Sequence, residues 1–324
     1  MKKLLAAVLV CLVAFASQAR AGEDVTLYAT NSEDSIQVIL ETVKKQAPDL
    51  HVNVIRGKTG VLLQRVVAEK DAPSGDVFWS SGFGTLASYA DMAESYKSEQ
   101  GKTVPESLHG PDGKWLGTNV HVVVLMVNKD QLKGEAPKGW DDVLNGSGDD
   151  RIAFADPSAS SSAYLQLYGI YKKYGEEGVK KLAKRVTVTG GSSSVYKGVA
   201  QGEYPIGITI EYAAYRYVAG GQRSVELVYP EEGTFLSPEG MFVIKGAPHS
   251  ENAKKLFDVM MSKEAQETIF EKNFRRPTRS DVDVSAFSAL PNMKDIKVFP
   301  LDQQQAGAEK DKVIKIWKEA LASK

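Results

Sequence analysis

Two clusters of serines stand at positions where a protein can bind an anion. The first lies in DPSASSSAY (156–164), directly before a helix-like segment, and the second lies in TGGSSSVYKGVA (189–200), at the start of another. A helix N-terminus offers free N–H groups and the positive end of the helix dipole, and serine hydroxyls add further donors. The two clusters therefore predict a site for a phosphate, phosphonate or carboxylate group. Its candidate donors are Ser160, Ser161, Ser162, Ser192, Ser193 and Ser194.

Two more loops of small polar residues follow strand-like segments. One follows VTLYAT (25–30) and the other follows DVFW (76–79), and each enters a helix-like segment. Helix capping by serine is the alternative explanation for any one of these loops. Ligands of α/β sheets bind outside the carboxyl ends of the strands, so four such loops together favour a binding site. The residues predicted to close the site from this side are Thr30, Asn31, Ser32, Ser81 and Gly82.

The segment TIEYAAYRY (209–217) adds an acidic and an aromatic candidate. Glu211 could accept hydrogen bonds from sugar hydroxyls or pair with an amine. Tyr212 could donate to an anion or stack on a ring. These two residues are predicted to recognise the organic part of a ligand, whereas Tyr215 and Tyr217 are read as packing residues.

Catalytic and cofactor motifs are absent from the sequence. GxGxxG, GxxxxGK[ST], GxSxG and HExxH do not occur, so the sequence predicts no enzyme, no cofactor and no resident metal. None of the histidines falls on a candidate loop or at a metal-ligand spacing, and we interpret them as surface or structural residues. They are His51, His109, His121 and His249.

The first 21 residues have the features of a secretory signal peptide. Two lysines precede an apolar run that closes on Ala19-Arg20-Ala21, which predicts cleavage after Ala21. The only cysteine, Cys11, lies inside this segment, so the mature chain needs no disulfide. Removing three positive charges, two lysines and Arg20, changes the net charge from −1 to −4. A mildly acidic exported protein is a poor candidate for nucleic-acid binding by bulk charge.

The mature chain alternates strand-like and helix-like segments in two series, which predicts an α/β fold of parallel sheets flanked by helices. The predicted helices include one with apolar Ile36, Ile39, Leu40 and Val43 on one face, the serine-led helix from about Ser160 to Tyr174, stopped by Gly175, and a last helix near Lys310 to Ala322. Two β-rich crossings, near 120–128 and 228–244, divide it into two predicted lobes. The first lobe comprises 22–120 and about 237–290, and the second about 128–230 and about 291–324. A cleft between the lobes would collect the four loops.

The chain resembles a periplasmic solute-binding protein of an ABC importer, in the group that contains the ferric-binding proteins. The resemblance rests on the order of VTLYAT, APSGDVFWSSGFGTLASY, IAFADPSASSSAY, GVAQGEYPIGITIEYAAYRYVAGG, VYPEEGTFLSPEGMFVIKGAPHSENAKKLFDVMMSKEAQ and NFRRPTR. It implies a two-lobed periplasmic-binding-protein fold of type II, with hinge strands between the lobes. It also implies a periplasmic protein that closes on its ligand and docks to the membrane subunits of an ABC permease. We further expect the protein to be a monomer.

The sequence departs from the ferric-binding pattern at the metal ligands. That branch uses a histidine in the first loop, a glutamate after the DVF strand and two adjacent tyrosines. Here the first loop has Ser32 and Glu33, the glutamate position is Ser81, and the tyrosine pair reads Tyr212-Ala213. A hard trivalent cation prefers several anionic oxygens, and these substitutions remove most of them. The same broad group contains proteins that bind phosphorylated sugars and aminoalkylphosphonates, and the serine-rich loops resemble that branch more closely. The resemblance therefore implies capture of a phosphorylated sugar or an organophosphonate.

Three alternatives remain from the sequence. A carrier of ferric iron or another metal would need tyrosine and carboxylate ligands that the pattern does not show. A polyamine- or thiamine-type carrier would need an acidic, aromatic cleft in place of a serine-rich one. A secreted enzyme would need a catalytic constellation.

Overall fold

The structure is a computed structural model, and it describes residues 23–146 and 151–324. The predicted signal peptide, residues 1–21, lies outside the described residues. The strands are β1 (Glu23–Ala29), β2 (Leu50–Arg56), β3 (Val77–Gly82), β4 (Leu116–Asn128), β5 (Ile152–Ala155), β6 (Val186–Thr189), β7 (Ile206–Ile210), β8 (Val225–Val228), β9 (Leu236–Val243) and β10 (Arg276–Pro277). The α-helices are α1 (Glu33–Gln46), α2 (Thr59–Ala68), α3 (Phe83–Ser88), α4 (Trp140–Asn145), α5 (Ser161–Arg185), α6 (Ser192–Ala200), α7 (Glu211–Ala219), α8 (Ser250–Met260), α9 (Lys263–Asn273), α10 (Gln303–Ala308) and α11 (Lys310–Ala322).

The strands form one curled sheet in the order β2-β1-β3-β9-β4-β7-β5-β6, and both β8 and β10 pair with β4 beside this path. We define the first lobe as β1, β2, β3, β9, β10 and the first half of β4. The second lobe contains the second half of β4 together with β5, β6, β7 and β8. Within the first lobe β2, β1 and β3 are parallel, and within the second β6, β5 and β7 are parallel.

Both faces of β1 are covered, as expected for a central parallel strand. Val25 and Leu27 pack in one core cluster with α1, α8 and α9. Tyr28, on the opposite face, packs in another cluster with Leu62 of α2 and Phe78 of β3. The alternation of side chains along the strand therefore supplies two separate cores for one lobe.

The long strand β4 joins the two lobes. All 13 of its residues are buried. Its residues up to Val122 pair with β9, whereas pairing with β7 begins at Val123. The change of partner falls inside the segment predicted as the first crossing, 120–128. The second connection, residues 229–235, runs from β8 to β9 within the predicted segment 228–244. The boundaries of the lobes in sequence numbers stay a prediction.

The second lobe is built around an aromatic core. Trp140 stacks on Phe235 with ring centroids 4.8 Å apart, and Phe154 meets Trp317 of α11 edge to face at 5.5 Å. The last helix begins at Lys310, as the sequence predicted. The prediction that Gly175 ends the serine-led helix was wrong in part. Gly175 interrupts α5 with a left-handed φ of 66°, but the chain continues helically to Arg185.

In the described part of the chain, no helix has both the length and the apolar character needed to cross a membrane.

Candidate anion-binding cleft

Three serine hydroxyls from the two predicted clusters lie together. Ser160 Oγ is 2.7 Å from Ser192 Oγ, and Ser162 Oγ is also 2.7 Å from Ser192 Oγ. The third distance, between Ser160 Oγ and Ser162 Oγ, is 3.2 Å. We call these three residues the serine trio. It joins the N-termini of α5 and α6, which contribute two positive dipole ends to the same place.

Neighbouring strands bring the trio together. β5 and β6 run parallel, with Ala155 opposite Thr189, so α5 and α6 begin at the same edge of the sheet. Capping explains only one of the serines, because Ser160 Oγ accepts a hydrogen bond from the backbone N–H of Ala163 at 3.3 Å. The N-cap of α6 is Gly191, and Ser192 lies inside the helix. Ser192 and Ser162 are therefore not needed as caps.

A cleft of about 750 Å³ opens beside the trio. The first lobe contributes the wall formed by Thr30, Arg56, Gly57, Lys58 and Thr59. The second lobe contributes the wall formed by Pro157, Ser158, Ala159, Ser160, Ser161 and Lys310. The described lining thus contains three cationic side chains and no carboxylate. Of the serine trio, only Ser160 belongs to this lining, and Ser162 and Ser192 lie directly behind it, within 3.2 Å of Ser160 Oγ. Ser193 and Ser194 are exposed and also lie outside the lining.

The cations differ in what holds them. Arg56 lies 3.5 Å from Glu33 in an exposed ion pair, so part of its charge is compensated. Lys310 Nζ lies 5.6 Å from the centre of the Tyr164 ring, on the second lobe. Lys58 is exposed at the N-terminus of α2, on the first lobe. A mobile anion between the lobes would meet positive charge from both sides.

The two predicted loops of the first lobe lie side by side at the carboxyl edge of its sheet. Ala29 of β1 is opposite Trp79 of β3, so the residues that follow them, from Thr30 and from Ser80, leave this pairing side by side. Thr30 Oγ1 donates a hydrogen bond to the carbonyl oxygen of Ser80, which fixes one loop to the other.

Both of these loops carry buried polar atoms without a partner. The side chain of Asn31 is 2% exposed, and neither its oxygen nor its nitrogen has a hydrogen-bond partner. Ser81, 3% exposed, has an unpartnered hydroxyl. Unsatisfied buried groups of this kind are costly and are normally matched by water or a ligand. Beside them, a Cβ at Gly82 would meet nothing within 4 Å, whereas Ser32 is exposed and its Oγ lies 3.1 Å from that of Ser35.

A polar cluster lies behind this edge, at the junction of the lobes. Ser80, held at a φ of 78° in a β-bulge of β3, donates a hydrogen bond to Glu239 Oε2. Arg275 Nη1 lies 3.5 Å from the same oxygen, and the Glu239 side chain keeps 21% exposure. Burial raises the pKa of Glu239, but attraction to its neighbours, Arg275 among them, lowers it below the usual range. Glu239 is therefore an ionised carboxylate whose charge is already compensated.

His121 and Tyr212 complete this cluster. Arg275 Nη1 donates to His121 Nε2 at 3.1 Å, which requires that this nitrogen carry no proton. Burial lowers the pKa of His121 to about 4, so the imidazole is neutral at neutral pH. The Arg275 guanidinium lies 4.5 Å from the centre of the Tyr212 ring, and Nη2 donates to the Tyr212 hydroxyl at 3.3 Å.

A comparison with protein families decides the class of this protein. Residues 71–303, more than half of the chain, match the family model of bacterial extracellular solute-binding proteins. The chain belongs to this family. Members of the family are binding proteins rather than enzymes, and they deliver small ligands to ABC permeases.

Individual relatives of this solute-binding protein are named after different ligands. The putative 2-aminoethylphosphonate-binding periplasmic protein of Salmonella typhimurium is 25% identical over 265 residues, which cover 74% of this chain and 73% of the relative. Iron uptake protein A1 of Synechocystis is 25% identical over 257 residues, covering 73% and 71%.

Solved structures give the same fold. The periplasmic binding protein AfuA from Actinobacillus pleuropneumoniae, with fructose-6-phosphate bound, superposes with a TM-score of 0.79 at 22% identity, covering 92% of this chain and 98% of AfuA. The predicted two-lobed periplasmic-binding-protein fold is confirmed. The chain is a periplasmic-type solute-binding protein of an ABC importer, as the sequence predicted.

Glu211 has a different environment from the one expected of a ligand-binding residue in this solute-binding protein. Its side chain is 1% exposed, and Arg276 and Tyr229 bond to its carboxylate. Tyr212, the next residue, is half-buried and lies in the polar cluster described above. The structure therefore separates the two members of this predicted pair.

Sequence reasoning missed several polar residues of the cleft and its junction. Lys58 and Thr59 follow β2 and enter α2, so the rule that selected the other loops could have found them. Arg275 and Glu239 are distant in sequence from the loops they serve, and no local pattern marks them. Among residues 23–146 and 151–324, no group of three or more His, Cys, Asp or Glu side chains lies close enough to hold a metal ion.

Proposed function

We propose that this protein captures a small organic phosphate or phosphonate in the cleft and delivers it to the membrane subunits of an ABC importer. The observation that carries the proposal is the serine trio, three hydroxyls within 3.2 Å of one another at two helix N-termini. Backbone N–H groups, the helix dipoles and the hydroxyls together provide donors for an anion without a compensating negative charge. The lobes close on the ligand so that both cleft walls contact it.

Each group of residues has a role in this proposal. The serine trio and Ser161 bind the anionic group, and Lys58 and Lys310 raise the positive potential from opposite walls. Thr30, Asn31, Ser81, Gly82 and Tyr212 contact the organic part. The unpartnered amide of Asn31 and hydroxyl of Ser81 support this role, because a ligand with hydroxyl groups would satisfy them. We propose no contact with the ligand for Glu211, Ser32, Ser193 or Ser194.

The junction cluster favours a phosphorylated sugar over an aminophosphonate. An ammonium group needs a carboxylate whose charge is free, and Glu239 is compensated by Arg275 at 3.5 Å. Sugar hydroxyls need mixed donors and acceptors, which Asn31 and Ser81 supply. We assign a sugar phosphate as the leading ligand class, and an aminoalkylphosphonate as the second.

The cellular setting follows from the same proposal. The chain is exported, cleaved after Ala21, and acts in the periplasm. It acts as a monomer, because one chain supplies both walls of the cleft.

A thermal-shift screen of residues 22–324 tests the proposal. The probes are fructose 6-phosphate, 2-aminoethylphosphonate, inorganic phosphate, ferric citrate, spermidine and thiamine. A ligand present at a hundred times its Kd stabilises the folded state by about 2.7 kcal/mol, which raises Tm by on the order of 5 °C. We expect the largest shift with fructose 6-phosphate and a smaller one with 2-aminoethylphosphonate.

The other outcomes discriminate among the alternatives. A shift with ferric citrate alone would show that the cleft is a metal site and that the serine trio does not bind its cargo. A shift with spermidine or thiamine alone would refute the anion assignment. Turnover of the phosphate ester, followed as released phosphate, would make the protein an enzyme.

A further inference from the structure

The buried ion pair between Glu211 and Arg276 spans the point where the chain passes from one lobe to the other. On β4, Val120 pairs with Arg276 of β10, in the first lobe. Val123 of β4 pairs with Ile210 of β7, in the second lobe, and Glu211 is the next residue after Ile210. Both partners of the ion pair are thus anchored to β4, one on each side of the change of lobe.

The contacts of the Glu211 carboxylate involve a second connection between the lobes. Arg276 Nε donates to Oε2 at 2.6 Å and Nη2 donates to Oε1 at 2.8 Å, a bidentate geometry. The hydroxyl of Tyr229 donates to Oε1 at 2.5 Å. Tyr229 begins the connection from β8 to β9, so one carboxylate ties both this connection and β10, which pairs with β4, to the N-terminus of α7.

The neighbouring residues repeat the arrangement. Arg275 precedes Arg276, and Tyr212 follows Glu211, and these two also contact each other, with the guanidinium 4.5 Å from the ring centre. Consecutive arginines of the first lobe therefore hold consecutive residues of α7 in the second. We call these four residues and Tyr229 the hinge clasp.

Burial makes the clasp difficult to separate. Glu211 and Arg276 are each 1% exposed, so parting them would leave two charges without water or a partner. A second ion pair between the lobes, Asp34 with Arg216 at 3.3 Å, is 64% and 51% exposed and can exchange its contact for water at little cost. When the cleft opens, the ion pair between Asp34 and Arg216 can therefore break at little cost. The ion pair of the clasp, between Glu211 and Arg276, resists separation.

We infer that Glu211 is a positioning residue, and that the hinge clasp is the fixed pivot about which the lobes rotate while it holds Tyr212 against Arg275 at the junction of the lobes. This inference rests on the proposed closure of the lobes on a phosphate ester. The pivot stays paired in the open and the closed protein, and the exposed pair between α1 and α7 is the one that breaks.

A double variant tests the pivot without leaving a lone buried charge. Glu211→Met with Arg276→Met removes both charges together, which proteins generally tolerate better than the loss of one. Distances between the lobes are measured by electron–electron double resonance on residues 22–324, spin-labelled at Asp71→Cys and Lys180→Cys. Both positions are exposed, and the mature sequence has no other cysteine. Asp34→Asn serves as the matched control.

We expect the unsubstituted hinge to give a narrow distance distribution without ligand, and the double variant to broaden it while still folding cooperatively. Its Kd for fructose 6-phosphate should rise about tenfold, since Tyr212 and the closed state are less well defined, and Asp34→Asn should change Kd less than about threefold. A folded double variant with an unchanged distribution and unchanged Kd would show that the pair is only a packing element. The distance measurement needs no ligand, so it tests the pivot even if fructose 6-phosphate does not bind the unmodified protein.

Discussion

Replacing Ser192 by alanine removes the central hydroxyl of the serine trio. Ser192 Oγ lies 2.7 Å from both Ser160 Oγ and Ser162 Oγ, so it is the member that contacts each of the others most closely. Ser193 is the next residue on the same helix, but it is exposed and takes no part in the hydrogen bonds of the trio. Ser193→Ala is therefore a control with the same chemical change at a neighbouring position.

The magnitude follows from the hydrogen bond that would be lost. A hydrogen bond to a charged group contributes about 1.5–3 kcal/mol, and about 1.4 kcal/mol corresponds to a tenfold change in Kd. Ser192→Ala should therefore weaken the binding of fructose 6-phosphate by about 10- to 150-fold. Ser192→Asp adds a like charge beside the phosphate, which costs about 4 kcal/mol at 4 Å in a partly solvated site and should abolish measurable binding.

Isothermal titration calorimetry of residues 22–324 with fructose 6-phosphate measures these changes, and thermal unfolding without ligand reports whether each variant is folded. Ser193→Ala should bind within about twofold of the unmodified protein, because no hydrogen bond to the ligand is removed. Equal losses at Ser192 and Ser193, or full affinity in Ser192→Asp, would refute the assignment of the trio as the anion site.

Three further predictions concern other parts of the cleft. Lys58→Ala with Lys310→Ala should weaken the binding of fructose 6-phosphate most at low ionic strength, and titrations at several salt concentrations should show a shallower salt dependence than the unmodified protein. Asn31→Leu removes an amide that has no partner, so chemical denaturation should show a stability gain of about 1 kcal/mol while the affinity falls; a loss of stability would indicate an internal partner for the amide. Burial lowers the pKa of His121 from 6.5 to about 4. Between pH 6.5 and pH 4, His121 is therefore protonated in the unfolded chain but not in the folded protein. Stability should therefore decline as the pH falls from 6.5 to 4, by about 2–3 kcal/mol from this group, and denaturant titrations of His121→Gln should show a correspondingly flatter profile.

Local patterns predicted most of the elements that surround the cleft. The apolar spacing of α1 and the position of α11 were readable because both helices bury one face and expose the other. The convergence of Ser160 and Ser192 was also predictable, because both follow parallel strands of one sheet, and such strands end at the same edge. Gly175 was misread as a stop because a left-handed residue normally ends a helix, whereas here helical structure resumes after it.

Long-range pairing is what the sequence could not show. Glu211 was assigned to the ligand because it follows a strand, but 65 residues further on Arg276 supplies its partner. Glu239 and Arg275 meet only because β9 and the segment before β10 lie beside β4. A single sequence contains no periodicity that relates such positions, so a charged residue at a strand end can equally serve a ligand or a buried ion pair.

The serine trio also determines how the cleft responds to the ligand's own proton. A phosphate ester changes between monoanion and dianion near pH 6. A hydroxyl donates and accepts, so the hydroxyls of Ser160, Ser162 and Ser192 can turn to accept a hydrogen bond from a protonated phosphate oxygen. A lysine ammonium can only donate, so it cannot accept a hydrogen bond from the protonated phosphate oxygen. The serine trio can therefore bind the ester at pH values below and above the second pKa of the phosphate. The surrounding cations determine how strongly the dianion is preferred over the monoanion.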